Sequence, residues 1–123
     1  MAIRITERSR TAHAQLVRAL AGHYESQGYY VQADHIGHGN GSPPAVNGHV
    51  PDVAAYSGGT LRIVAEAETC DTISDSNTRD QWAAFARSPY RFEVIVPKSC
   101  LQGAQMQASM CGVTVDKWWR LDI

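Results

Sequence analysis

No run of apolar residues in the chain approaches the roughly 18 needed for a bilayer-spanning helix, so none is expected to cross a membrane. The chain also lacks a dominant charge. Eleven Lys and Arg stand against twelve Asp and Glu, a net charge of -1. Net charge therefore predicts no strong non-specific pull on nucleic acid, although Arg4, Arg8, Arg10 and Arg18 leave room for a local basic face. There is no internal repeat and no heptad pattern. The opening residues, MAIRITERSR, carry charge from the start and no apolar h-region, so a secretory signal is not expected and the expected compartment is the cytoplasm. Cysteine is scarce and odd in number. Cys70, Cys100 and Cys111, with spacings of 30 and 11, match no zinc-ribbon pattern. They are expected to be reduced thiols serving as small core residues.

What remains is an ordinary globular composition, 44% hydrophobic and 19% charged, over 123 residues. Two cores would each be too small to fold alone, so a single domain over 1–123 is expected. Apolar Ala12, Leu16, Leu20 and Tyr24 recur every fourth residue, predicting a helix from about Thr6 to Ser26 closed by Gly28. YYVQAD at 29–34 reads as a short strand. Residues 37–49, rich in Gly and Pro, read as a flexible loop. VPDVAAYS (50–57) and TLRIVAEAET (60–69) flank Gly58-Gly59, a hairpin signal. Thr78-Arg79-Asp80-Gln81 resembles a capping box, with a helix from about Arg79 to Arg87. RFEVIV (91–96) is a strand stopped by Pro97, Leu101–Met110 a helix, and Val113–Val115 a brief last strand, with Trp118 and Trp119 closing the chain. The order α-β-β-β-α-β-α-β implies an α/β (α+β) fold, a mixed sheet with helices on its faces.

The chemistry concentrates at Pro51-Asp52 and, fourteen residues after Asp52, at Glu66-Ala67-Glu68. Side chains alternate on a strand, so Glu66 and Glu68 share a face, with Arg62 and Val64 expected on it too. Leu61, Ile63, Ala65 and Ala67 form the opposite, core-facing set. Three carboxylates near one point repel one another. A hard divalent cation, Mg²⁺ or Mn²⁺, removes the conflict because it takes oxygen ligands. Register decides whether they meet. A plain two-residue turn at Gly58-Gly59 sets Asp52 opposite Ala65 and puts Glu66 on the wrong face. A longer loop or one β-bulge sets Asp52 opposite Glu66. The functional reading thus predicts that the hairpin is not a simple two-residue one.

Pro51-Asp52, a hairpin, then Glu66-Ala67-Glu68, within helix, three strands, helix and strand over about residues 6–97, resembles the PD-(D/E)XK nuclease superfamily. In layout it is similar to the small archaeal and phage Holliday junction resolvases. Gln81-Trp82-Ala83-Ala84-Phe85 is similar to the Q-x-x-x-Y motif of some members. The resemblance implies a restriction-endonuclease-like α-β-β-β-α-β core with an added C-terminal helix and strand. It implies Asp52, Glu66 and the Ala67 carbonyl as metal ligands, with Gln81 contacting the metal's waters or the substrate. Two departures stand out. Glu68 occupies the usual Lys position, as in some restriction enzymes, where it resembles a second metal-linked acid or base. Phe85 replaces the motif's Tyr.

Other residues fill out the expected site. His13 falls where some relatives place an acidic residue near the metal. His35, His38 and His49 flank the Gly-rich loop and are candidates for substrate contact or proton transfer from it, with His49 carried among the possible site residues. Arg62, Arg79 and Lys98 are candidate phosphate contacts. The expectation is a Mg²⁺- or Mn²⁺-dependent endonuclease acting on DNA (or RNA), branched or junction DNA included, as a homodimer. An inactive nuclease-fold module that binds a protein or nucleic acid is the alternative.

Overall fold

A computed structural model describes residues 7–123, with only the backbone for Glu7 and Arg8. Thr6 and Arg4 lie outside the described residues. Helix α1 spans Glu7–Ser26. Leu16, Val17, Leu20, Ala21 and Tyr24 form its buried stripe, as the four-residue period requires. Gly28, at φ +93°, turns the chain out of the helix. Strands β1 (Tyr30–Ala33), β2 (Val53–Ser57) and β3 (Thr60–Ala67) follow, then α2 (Ser76–Ala86), β4 (Arg91–Pro97), a 3₁₀ turn at Lys98–Cys100, α3 (Leu101–Met110) and β5 (Lys117–Leu121). The expected element order is the observed one.

The five strands form one mixed sheet in the order β1-β2-β3-β4-β5. The first three pair antiparallel; β3–β4 and β4–β5 are parallel. Helix α1 packs on one face against Val31, Val53, Ile63, Ala65 and Ile95. Helices α2 and α3 cover the other through Trp82, Phe85, Ala104 and Ala108, against Val64, Phe92, Val94 and Val96. Because β4 is buried on both faces beyond its first residue, residues 92–97 read as a continuous apolar run apart from Glu93. No helix among the described residues is long and apolar enough to cross a membrane.

Three sequence expectations need correction. The last strand is Lys117–Leu121, not Val113–Val115. Both tryptophans lie in it, Trp119 toward the α1 face and Trp118 toward α2 and α3; the large rings anchor an alternating strand that the smaller valines do not. Helix α2 begins at Ser76, capped by Asp75, whose side chain accepts from the Asn77 N–H at 2.8 Å. Asp is as good an N-cap as Thr, and Thr78 is drawn instead into bonds with Thr72 O and Glu68. Cys70 and Cys100 are not reduced thiols. Their Cα atoms lie 5.6 Å apart and a disulfide joins them, which leaves Cys111 free.

The hairpin meets the register expectation through one β-bulge, one of the routes expected. Its turn is a tight two-residue one, Ser57 pairing Thr60 across Gly58 and Gly59. Both glycines sit at positive φ, +60° and +76°, the conformation that suits a right-twisted hairpin and that L side chains disfavour. One β-bulge then shifts the ladder between Ala55 and Tyr56: Tyr56 pairs Leu61 while Ala55 pairs Ile63, so Arg62 is the extra residue. Leu61 consequently packs with the α2–α3 core, whereas Ile63, Ala65 and Ala67 face α1. The expectation that Leu61 shares a face with Ile63, and Arg62 with Val64 and the glutamates, fails at this bulge.

Candidate active site

Beyond the bulge, Val53 pairs Ala65, and the next step of the ladder brings Asp52 level with Glu66. The Asp52 N–H donates to Glu66 Oε1 at 3.1 Å, and the Ala67 N–H donates to Asp52 Oδ2 at 2.8 Å. Strand β3 is central, between β2 and β4, so its carboxylates are not a solvated edge. Asp52, Glu66 and Glu68 are 6%, 3% and 5% exposed. All three line one cavity of about 510 Å³ between the start of α1 and the start of α2. Strand β3 thus delivers Glu66, the residue just past its end is Glu68, and the residue just before β2 is Asp52.

Two imidazoles complete the cluster. His13 Nε2, from α1, lies 3.3 Å from Asp52 Oδ2. His35 Nε2 lies 3.5 Å from Asp52 Oδ1 and 3.4 Å from Asp34 Oδ2. The two rings meet edge to face, with centroids 5.3 Å apart. The sequence places His35 beside the Gly-rich loop as one of three candidates for substrate contact or proton transfer and does not tie it to Asp52. The available signal was its place just past β1, where the Asp34 N–H donates to Asp52 O and continues the ladder. Its φ of +69° swings it out of the strand line; a non-glycine residue in that region is held there by its surroundings.

The electrostatics follow from burial and proximity. Burial alone would raise the Asp52 carboxyl, but hydrogen bonds from His13 and His35, with the Ala67 N–H, outweigh it and hold the group down at about 2. Glu66 is pushed well above the ordinary carboxyl range, by burial first and then by the negative charges of Asp52 and Glu68. Glu68 is pushed up to about 8 by burial and by Asp52, against the pull of the Thr78 and Thr72 hydroxyls. His13 and His35 are both raised, chiefly by their bonds to Asp52. Near neutral pH Asp52 is therefore the ionised carboxylate of the cluster, beside two imidazoles, while Glu68 keeps its proton and Glu66 is pushed the same way.

Two hydroxyls hold Glu68 in place. The Thr78 hydroxyl is directed at both Thr72 O, 2.7 Å away, and Glu68 Oε2, 2.9 Å away. Thr72 Oγ1 lies 3.0 Å from the same Oε2. The Cys70–Cys100 bridge starts two residues past Glu68 and ties the segment that carries Thr72 to the end of β4.

The oxygen-rich donor set suits a hard divalent cation. Among the described residues, however, no three His, Cys, Asp or Glu side chains stand in a ready-made metal cage. The reason is visible in the bonds: Glu66 turns one oxygen to the Asp52 N–H, and Glu68 turns one to Thr72 and Thr78.

The remaining expected residues divide. Gln81 lines the cavity from the second turn of α2; with Asp75 as cap, it is not the capping-box partner. His13 is in the cavity. Arg62 lies on the α1 face and lines a different cavity. The exposed Arg79 and Lys98 do not line the carboxylate cavity. His49 packs edge-on to Phe85, centroids 6.4 Å apart, and its backbone closes a turn with Val46. His38 pairs with Glu25 at 3.2 Å, so the loop histidines do not gather. Among the described residues, the Lys or Arg that does line the cavity is Arg10, from the first turn of α1. Phe85 is fully buried in the α2–α3 core, where a phenol hydroxyl would need a partner. No family model, curated protein or solved structure matches the chain.

Proposed function

We propose that the chain is a metal-dependent phosphodiesterase, a small nuclease, with its site at Asp52, Glu66 and Glu68. The observation that carries this reading is the burial of three carboxylates from adjoining strands in one cavity, aligned by a bulge that costs the hairpin its regular ladder. Acids held so far from water are unfavourable unless protonated or matched by positive charge.

Asp52, Glu66, the Ala67 carbonyl and Glu68 would hold Mg²⁺ or Mn²⁺. The bound ion would supply a Lewis acid beside a phosphoryl group. The chain's own residues do the rest. Arg10 offers a guanidinium to the substrate phosphate at the cavity. Gln81 presents an amide to orient a water or a phosphate oxygen. His13, tied to Asp52, can give or take a proton near the cavity. The usual lysine is absent and Glu68 stands there instead, so charge neutralisation falls to the cation and Arg10. A homodimer would let two such sites cut two strands.

The purified chain should cleave branched, double- or single-stranded DNA, or RNA, with Mg²⁺ or Mn²⁺, and Asp52→Ala should abolish both cleavage and metal affinity. Failure to cut any substrate, with metal affinity unaffected by Asp52→Ala, rejects the reading. One observation favours the alternative of an inactive nuclease-fold module: Glu68 is bonded to two threonine hydroxyls, as a structural buried acid would be. In that case metal leaves the melting temperature unchanged.

A further inference from the structure

A second cavity, of about 590 Å³, lies on the α1 face toward the other end of that helix. His13 and His23 mark the two cavities; ten residues of helix at 1.5 Å each separate them by about 15 Å. Its floor is Glu93, 3% exposed. Both Glu93 oxygens are taken: the Tyr24 hydroxyl and Trp119 Nε1 donate to one at 2.7 Å each, and Arg91 Nε donates to the other at 2.6 Å. Tyr24 stays protonated, its phenol raised by burial and by Glu93.

Around this satisfied floor stand three cations from three strands: Arg62 of β3, Arg91 of β4 and Lys117 of β5. Arg91 is matched by Glu93. Arg62 and Lys117 form no ion pair among the described residues. Asp116, which also interacts with Arg91, accepts from the Phe92 N–H. Arg62 faces here because of the bulge: Arg62 and Ile63, adjacent in β3, both line the cavity, which a regular strand forbids. The walls add neutral polar groups, Gln27 and Ser57, and the aromatic rings of Tyr29 and Trp119. Lys117 Nζ sits 4.1 Å from the Trp119 ring centroid.

We propose that this cavity binds a nucleotide phosphate, either a free mononucleotide or the end of a nucleic-acid strand, through Arg62 and Lys117. The volume falls in the range of small-ligand sites, and the lining is mainly polar and cationic, with the Tyr29 and Trp119 rings beside Arg62 and Lys117. Surplus positive charge selects an anion. A phosphate gives the Lys117 ammonium a charge-assisted partner stronger than an indole face, and as Lys117 leaves the indole it uncovers one side of the Trp119 ring, which His23 also packs against, for a base to stack on. The inference stands apart from the cleavage reading, since none of these residues belongs to the carboxylate cavity.

The full chain in EDTA is titrated with dAMP, inorganic phosphate and a single-stranded dodecamer, followed by tryptophan fluorescence and calorimetry. dAMP and the dodecamer should bind, more weakly as salt rises. Arg62→Glu combined with Lys117→Glu, both exposed positions, should weaken binding by about tenfold or more and flatten the salt dependence. Asp52→Ala should leave it unchanged, even if the wild-type chain cuts nothing. Stronger binding of the dodecamer than of dAMP assigns the site to a strand end; equal binding assigns it to the mononucleotide. Inorganic phosphate binding as well as dAMP removes the base from the proposal. Affinity unmoved by the double charge reversal, or no binding by any probe, overturns it.

Discussion

Asp52 donates its backbone N–H to Glu66 Oε1, 3.1 Å away across the β2–β3 ladder, and this bond exists because Arg62 has no partner on β2. Without the extra residue, side-chain alternation would carry Glu66 to the α1 face. One irregular position therefore sets two features together. It aligns the acids at one end of β3 and turns Arg62 into the cavity at the other.

Divalent metal should stabilise the folded chain. At a concentration about 100 times the dissociation constant, a bound ion adds about 2.7 kcal/mol, raising the melting temperature by several degrees. Scanning calorimetry with Mn²⁺ should show this rise for the wild type and its loss in Asp52→Ala. A rise of equal size in both would place the metal elsewhere.

Stability in EDTA should decline as the pH is raised from about 5 toward 8. The folded-state Glu68 is pushed up to about 8 from an ordinary 4.5, so over that interval the native state keeps a proton that the unfolded chain has released. His13 and His35, both raised from 6.5, act in the same direction: their contribution is complete below that value and fades as the pH climbs past it. Asp52 acts oppositely, but its contribution is lost only as pH falls below 3.8 toward about 2. Urea titrations at several pH values should show the decline, shallower in Glu68→Gln. Metal affinity should move the other way, strengthening as pH rises, since ligand carboxyls must lose their protons. A flat stability profile would contradict the protonated Glu68.

Replacing both Cys70 and Cys100 by Ser opens a loop spanning 30 residues. The expected loss is about 3–4 kcal/mol. Urea midpoints with and without dithiothreitol should separate for the wild type and coincide for the double variant. Coincident wild-type midpoints would mean that the thiols are unpaired.

Tyr24→Phe removes one of three donors to the buried Glu93. A cost of about 1–3 kcal/mol is expected for leaving that acceptor short. It should appear in chemical denaturation, with metal-dependent stabilisation untouched. A neutral effect would show that Arg91 and Trp119 suffice.

Much of this protein is legible from its residues alone. The stripe of Leu16, Leu20 and Tyr24, the turn at Gly58-Gly59 and the alternation of Ile63, Ala65 and Ala67 are local patterns, and local sterics and burial enforce them wherever the chain goes. They determined the element order and put Asp52, Glu66 and Glu68 forward as a group. Tertiary structure decided the rest. Where the bulge falls, how His35 reaches Asp52, which cysteines pair, and whether Asp75 or Thr78 caps α2 all depend on how separate segments slide and dock. A slip of one residue inverts every side chain beyond it, and no single strand records its neighbour's offset. That offset is set by the packing of both sheet faces together, which is why Arg10 lines the carboxylate cavity and Arg62 does not.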